Sequence, residues 1–99
     1  MALESSITKS IVTSAKARGW WTFKIHGGPM QTSGIPDLLC VKHGKAVFLE
    51  VKQPGKKPTE LQTHRMHEIR SIGGGVAEVV TSRQDAERIL DDADHPCVA

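Results

Sequence analysis

Apolar positions recur along this chain with two different periods. Leu3, Ile7, Ile11 and Ala15 fall at steps of four with Val12 beside them, which predicts an amphipathic helix over residues 3–17. Gly19 ends it. The run WWTFKI (20–25) is aromatic and β-branched and predicts a strand. Trp21, Phe23 and Ile25 lie on one side of it, and Trp20, Thr22 and Lys24 on the other. Glycine and proline punctuate residues 26–36 (HGGPMQTSGIP), predicting an irregular loop of a length that is often functional in small domains. Two strands, 37–42 and 45–52, flank a His43-Gly44 hairpin turn. The basic loop QPGKKP (53–58) leads to Thr59, the N-cap of a helix that runs to about residue 72 and stops at Gly73-Gly74-Gly75. Residues 76–80 read as a short apolar strand. Ser82-Arg-Gln-Asp85 opens a last helix to about residue 91, and residues 93–99 read as a frayed tail. The order αβββαβα predicts an α/β fold, a mixed sheet flanked by helices.

Composition narrows the class. Ninety-nine residues, 38% hydrophobic and 24% charged, suit one globular domain over 1–99 and cannot build a second core. No apolar run reaches the roughly 18 residues of a membrane span. MALESSITKSIV carries Glu4 and no basic-then-apolar block, which argues against a secretory signal. Thirteen basic against eleven acidic residues leave a net charge of +2, which permits a nucleic-acid partner without demanding one. Cys40 lies in an apolar run and Cys97 in a polar tail, so no disulfide is expected and the protein reads as cytoplasmic.

The hairpin carries the chemistry. A two-residue turn at His43-Gly44 pairs Lys42 with Lys45, and the same register sets Asp37 opposite Glu50. Directly opposed side chains share a face with Cβ atoms about 5 Å apart. Strand alternation puts Lys52 on that face too, while Val47, Leu49 and Val51 point into the core. Two opposed carboxylates repel unless something offsets them, and a hard cation with oxygen ligands, Mg²⁺ or Mn²⁺, would do so. An ammonium beside such an ion can orient a water and stabilise charge growing on a phosphate, the requirements of phosphodiester hydrolysis. Glu-Val-Lys on an exposed strand can equally be a solvated surface with a weak ion pair. Asp37 opposite, Pro36 before it and the glycine loop feeding it bring the metal site level with that solvated-surface reading, and the geometry leaves both open.

Gly34-Ile-Pro-Asp37 followed by Val47-Phe-Leu-Glu-Val-Lys52 resembles the PD-(D/E)XK nuclease superfamily, and more closely the small stand-alone phage and bacterial members of the VRR-NUC family. Glu4 in the first helix and Gln62 in the helix after the hairpin support the resemblance. It implies a restriction-endonuclease-like core and metal-dependent cleavage of DNA phosphodiesters in a phage or bacterial setting. Asp37 and Glu50 would then be metal ligands with the Val51 carbonyl, Lys52 would position the attacking water, and Gln62 and Glu4 would be accessory catalytic residues. Gln62 also shares a helical stripe with Met66 and Ile69, and Glu4 one with Ile7 and Ile11. Each can alternatively be a half-buried helix-end residue, Glu4 interacting with the helix dipole. Small members resemble Holliday-junction resolvases in architecture, and together with the small size of the chain this suggests a homodimer acting on branched DNA.

Other residues carry weaker signals. His64 and His67 share a helix face, but no cysteine or second histidine pair accompanies them, so zinc is not expected. Lys24, Lys56, Lys57, Arg65 and Arg70 form a candidate basic rim for DNA phosphates. Trp20 and Trp21 read as core or dimer contacts rather than base-stacking platforms. Gly27-Gly28 lacks the Gly-Lys-Ser/Thr ending of a P-loop, so no nucleotide cofactor is expected. Two alternatives stand beside a nuclease: a non-catalytic DNA-binding module of the same fold, and a structural subunit of a larger complex.

Overall fold

A computed structural model describes residues 3–25 and 33–95. Helix α1 (Glu4–Ala17) leads into β1 (Trp21–Lys24), then β2 (Leu38–Lys42), β3 (Lys45–Val51), α2 (Glu60–Ser71), β4 (Val76–Val80) and α3 (Arg83–Asp94). The predicted order αβββαβα holds. One four-stranded sheet has the order β1-β2-β3-β4, with the first two pairings antiparallel and β3–β4 parallel. It is a mixed sheet because α2 carries the chain back to start β4 in the same direction as β3.

Helices α1 and α3 cover one face of the sheet. Ile7, Ile11 and Ala15 of α1 and Ala86 and Leu90 of α3 close over Leu38, Cys40, Val47, Leu49, Val51 and Val80. Helix α2 lies on the other face and packs mainly against β4. Arg18 ties α1 to α3 by ion pairs with Glu87 (3.1 Å) and Asp91 (3.0 Å). No described helix is long and apolar enough to cross a membrane.

Several boundaries differ from the sequence reading, most by a single residue. The ladders of β2 and β3 begin at Leu38 and end at Val51, leaving Asp37 and Lys52 just outside regular pairing. Helix α3 continues to Asp94 because tertiary contacts hold its end: Lys42 Nζ pairs with the Asp94 carboxylate at 2.8 Å and Lys45 Nζ donates to the His95 carbonyl. Residues 26–32, with Gly27-Gly28, and residues 96–99, with Cys97, lie outside the described residues. Cys40 is a buried free thiol whose pKa burial pushes up to about 11, an inert core residue.

Candidate active site

The turn places the site. His43 (φ 50°) and Gly44 (φ 78°) both take left-handed conformations, as a two-residue turn of this kind requires, and Lys42 pairs with Lys45. The ladder proceeds from there to Leu38 opposite Leu49, so Asp37 and Glu50 come next, face to face. Asp37 is fixed from both sides of its own backbone and side chain. Its carbonyl accepts from Ile25 N–H (2.7 Å), and its Oδ2 accepts from Val51 N–H (3.0 Å). The side-chain bond ties Asp37 to the strand that carries Glu50 and holds the Asp37 carboxylate at the end of the hairpin.

Glu50 is more deeply placed than an exposed strand face allows. Its side chain is 2% exposed, because β3 is an inner strand between β2 and β4, and Gln62 of α2 reaches the carboxylate. Oε2 lies 3.6 Å from Lys52 Nζ and 3.4 Å from Gln62 Nε2, whereas Oε1 is buried with no hydrogen-bond partner among the described residues. Burial pushes the Glu50 pKa up from 4.5 to about 8, and Asp37 adds to the rise by sharing a proton with it and by like-charge repulsion. Lys52 offsets part of this. With both acids ionised, a single ammonium, Lys52, stands against two carboxylates, and one Glu50 oxygen lacks a donor. A hard divalent cation supplies the missing charge and a partner for that oxygen, so the donor set fits such an ion. Among the described residues no three Asp, Glu, His or Cys side chains converge.

Gln62 is aimed by a helix cap. Thr59 Oγ1 accepts from Gln62 N–H (3.1 Å) while Gln62 Oε1 accepts from Thr59 N–H (2.9 Å), a complete capping box. With its oxygen held by the cap, the amide presents its NH₂ to Glu50. The sequence reading found Thr59 and Gln62 separately and missed their reciprocity, although Thr-x-x-Gln before a helix was the signal.

A search against family models finds no match. A curated protein of Acyrthosiphon pisum secondary endosymbiont phage 1, provisionally named nuclease p44, is 33% identical over 88 residues, covering 88% of this chain and 90% of that protein. A solved structure described as a VRR_NUC domain superposes with a TM-score of 0.76 at 27% identity, covering 89% of this chain and 94% of its own. The chain belongs to the VRR-NUC nuclease family. The family likeness spans both sheet and helices, so the αβββαβα reading and the mixed sheet hold for the whole of the matched region.

Within this VRR-NUC fold the remaining candidate residues separate into two groups. Asp37, Glu50, Lys52 and Gln62 are brought together. Glu4 is not joined to them: it stands half-buried in the first turn of α1, and no described hydrogen bond or ion pair links its side chain to the acids. Of the basic rim, Lys24, Lys56 and Lys57 are exposed. Arg65 instead donates to the Ser33 carbonyl (3.1 Å) and pairs with Glu68 (2.8 Å), and Arg70 donates to the Ala77 carbonyl. Both arginines hold α2 in place. Trp20 is in the core, but Trp21 is 59% exposed and stacks on Phe23, itself 50% exposed, with ring centroids 5.9 Å apart. His64 is exposed, 3.7 Å from Glu68.

Proposed function

We propose that this chain is a single-domain, Mg²⁺- or Mn²⁺-dependent DNA endonuclease, selective for branched DNA and acting as a homodimer. The observation that carries the proposal is the buried, under-compensated Glu50 carboxylate facing Asp37 with Lys52 and Gln62 on the same oxygen. A structural role alone would favour an apolar residue at an inner strand position, since burying a carboxylate without full compensation destabilises the fold. The phage relative's name, nuclease, supports the same reading.

Asp37 and Glu50, with the Val51 carbonyl, would hold the cation, which when bound would polarise the scissile phosphate and offset charge developing on it. Lys52, whose side chain is only 16% exposed, would orient the attacking water and stabilise the added negative charge. The water oxygen bonds to phosphorus as the bridging P–O bond breaks, leaving a phosphate and a hydroxyl. Gln62 keeps the Glu50 carboxylate turned toward the pair. Glu4 remains a candidate accessory residue at the start of α1.

The homodimer rests on the exposed Trp21–Phe23 stack on the outer strand of the sheet and on size. A body of 39 × 32 × 24 Å spans about one helical turn of duplex, roughly 34–36 Å, so one copy reaches one arm of a branch. The direct test incubates the protein with supercoiled plasmid, linear duplex, flap and four-way junction DNA, with Mg²⁺, Mn²⁺ or EDTA. Nicking that EDTA and Asp37→Asn each abolish, fastest on branched DNA, is the expected result. Cleavage that survives either treatment would remove the mechanism.

A further inference from the structure

We infer that the groove between α1 and β1, which takes in Lys24 of the candidate basic rim, is a track for the DNA phosphate backbone on the α1 face of the sheet. The inference rests on the nuclease reading above and locates its substrate. A groove of about 490 Å³ runs along the outer side of α1 against β1. Lys9, Lys16 and Lys24 line it, interspersed with the hydroxyls of Ser5, Thr13 and Thr22, and no carboxylate does.

These lysines differ from most other cations of the molecule. Every arginine is engaged internally, as are Lys42, Lys45 and Lys52. Lys9, Lys16 and Lys24 take part in no ion pair or hydrogen bond with any described residue, yet they converge on one groove. Three like charges gathered without counter-charges raise the potential between them, which favours a polyanion.

The spacing suits a nucleic-acid strand. Lys9 and Lys16 lie seven residues apart on α1, about 10 Å along the helix axis, close to three steps of a strand that rises roughly 3.4 Å per nucleotide. Lys24 stands at the same end of the sheet as the acids, since it pairs with Leu38 and the next residue, Ile25, donates to the Asp37 carbonyl, but it lies on the α1 face, whereas Glu50 faces α2. The track therefore starts at the end of the sheet that carries the acids and runs outward along the opposite face. Hydroxyls and ammonium groups with no planar donor pairs and no aromatic ring in the lining are suited to phosphates and not to base edges.

The experiment measures equilibrium binding of a fluorescein-labelled DNA duplex by anisotropy in EDTA across a salt series. The proteins are the wild type, the triple variant Lys9→Gln/Lys16→Gln/Lys24→Gln, and Arg88→Gln, which removes one exposed charge on α3, away from the groove. Circular dichroism checks that each is folded. Each lost phosphate contact lowers the slope of log K against log salt by about 0.9, so the triple variant should lose roughly 2.7 and bind at least about tenfold more weakly at low salt. Arg88→Gln should keep the wild-type slope. An unchanged slope in the triple variant, a comparable loss in Arg88→Gln, or a wild type that binds no DNA would each overturn the track. If the wild type cleaves DNA and the triple variant binds as well as it does, the nuclease reading stands alone. If the wild type binds through the lysines but shows no metal-dependent nicking, the track stands and the nuclease reading falls.

Discussion

Glu50 pits stability against function at a single side chain. In metal-free protein its pKa stands near 8 against an ordinary 4.5, so the folded state retains a proton that the unfolded chain has released across that window. A raised acid pKa means stability is fully present below about 4.5 and falls as pH rises through about 8. Thermal denaturation in EDTA should therefore show the midpoint dropping from about pH 5 to about pH 9, and Glu50→Gln should flatten that drop. The same variant should be more stable than wild type at the alkaline end and devoid of nicking. A steeper drop in Glu50→Gln would contradict this account. The Lys52 side chain is only 16% exposed, and Lys52→Gln should lower the cleavage rate by about 10²–10⁴-fold while the protein stays folded, as loss of a group acting on the reacting water does. Gln62 joins a helix cap to the site. Gln62→Ala should cost about 1 kcal/mol of stability through the lost cap as well as activity, whereas Gln62→Glu keeps a capping side chain and should lose activity alone. Chemical denaturation and plasmid nicking, run on both variants, separate the two effects.

At the level of elements, the segment leading into Asp37 is clamped against α2. Gly34 has φ 83°, and a Cβ there would come within 2.7 Å of Leu61 Cγ and 3.2 Å of Arg65 Cγ. Arg65 in turn holds the Ser33 carbonyl. Glycine is thus required twice, for its left-handed backbone and for the close approach of the helix. Gly34→Ala should destabilise the protein by roughly 1–3 kcal/mol and depress nicking further than stability alone explains, since Asp37 follows only three residues later. Urea unfolding with nicking assayed well below the midpoint tests both parts. The glycine-proline lead-in was visible in the sequence, but its physical demand was not, because Leu61 and Arg65 lie more than two dozen residues away. The basic rim shows the same limit from the other side. Arg65 and Arg70 look free on a helical stripe, and only packing reveals that loop and strand carbonyls engage them.

For the molecule as a whole, the outer strand β1 divides two surfaces. Thr22 and Lys24 face the α1 groove, and Trp21 and Phe23 stack on the opposite face. A stacked, exposed aromatic pair on a sheet edge is suited to contact with a second copy. Light scattering at micromolar concentration should return about twice the 10.8 kDa chain mass, and Trp21→Glu should return the chain mass itself. A wild type that scatters as a single chain would end the homodimer proposal. Opposite outcomes for the two faces are informative: Trp21→Glu should alter the assembly state, whereas the groove lysines should alter salt-dependent binding.

What the sequence alone determined was whatever depends on neighbours in the chain. The period-2 alternation of β3 and the two-residue turn at His43-Gly44 together specified the register, and hence that Asp37, Glu50 and Lys52 share a face, because both are local rules with little freedom. The tertiary structure decided the depth of Glu50, which follows from β4 pairing beside it and α2 closing over it. It also decided which cations are left without partners, since Arg18 meets Glu87 and Asp91 only after α1 and α3 pack together. Charge and burial are properties of long-range neighbourhoods, and those exist only once the chain has folded.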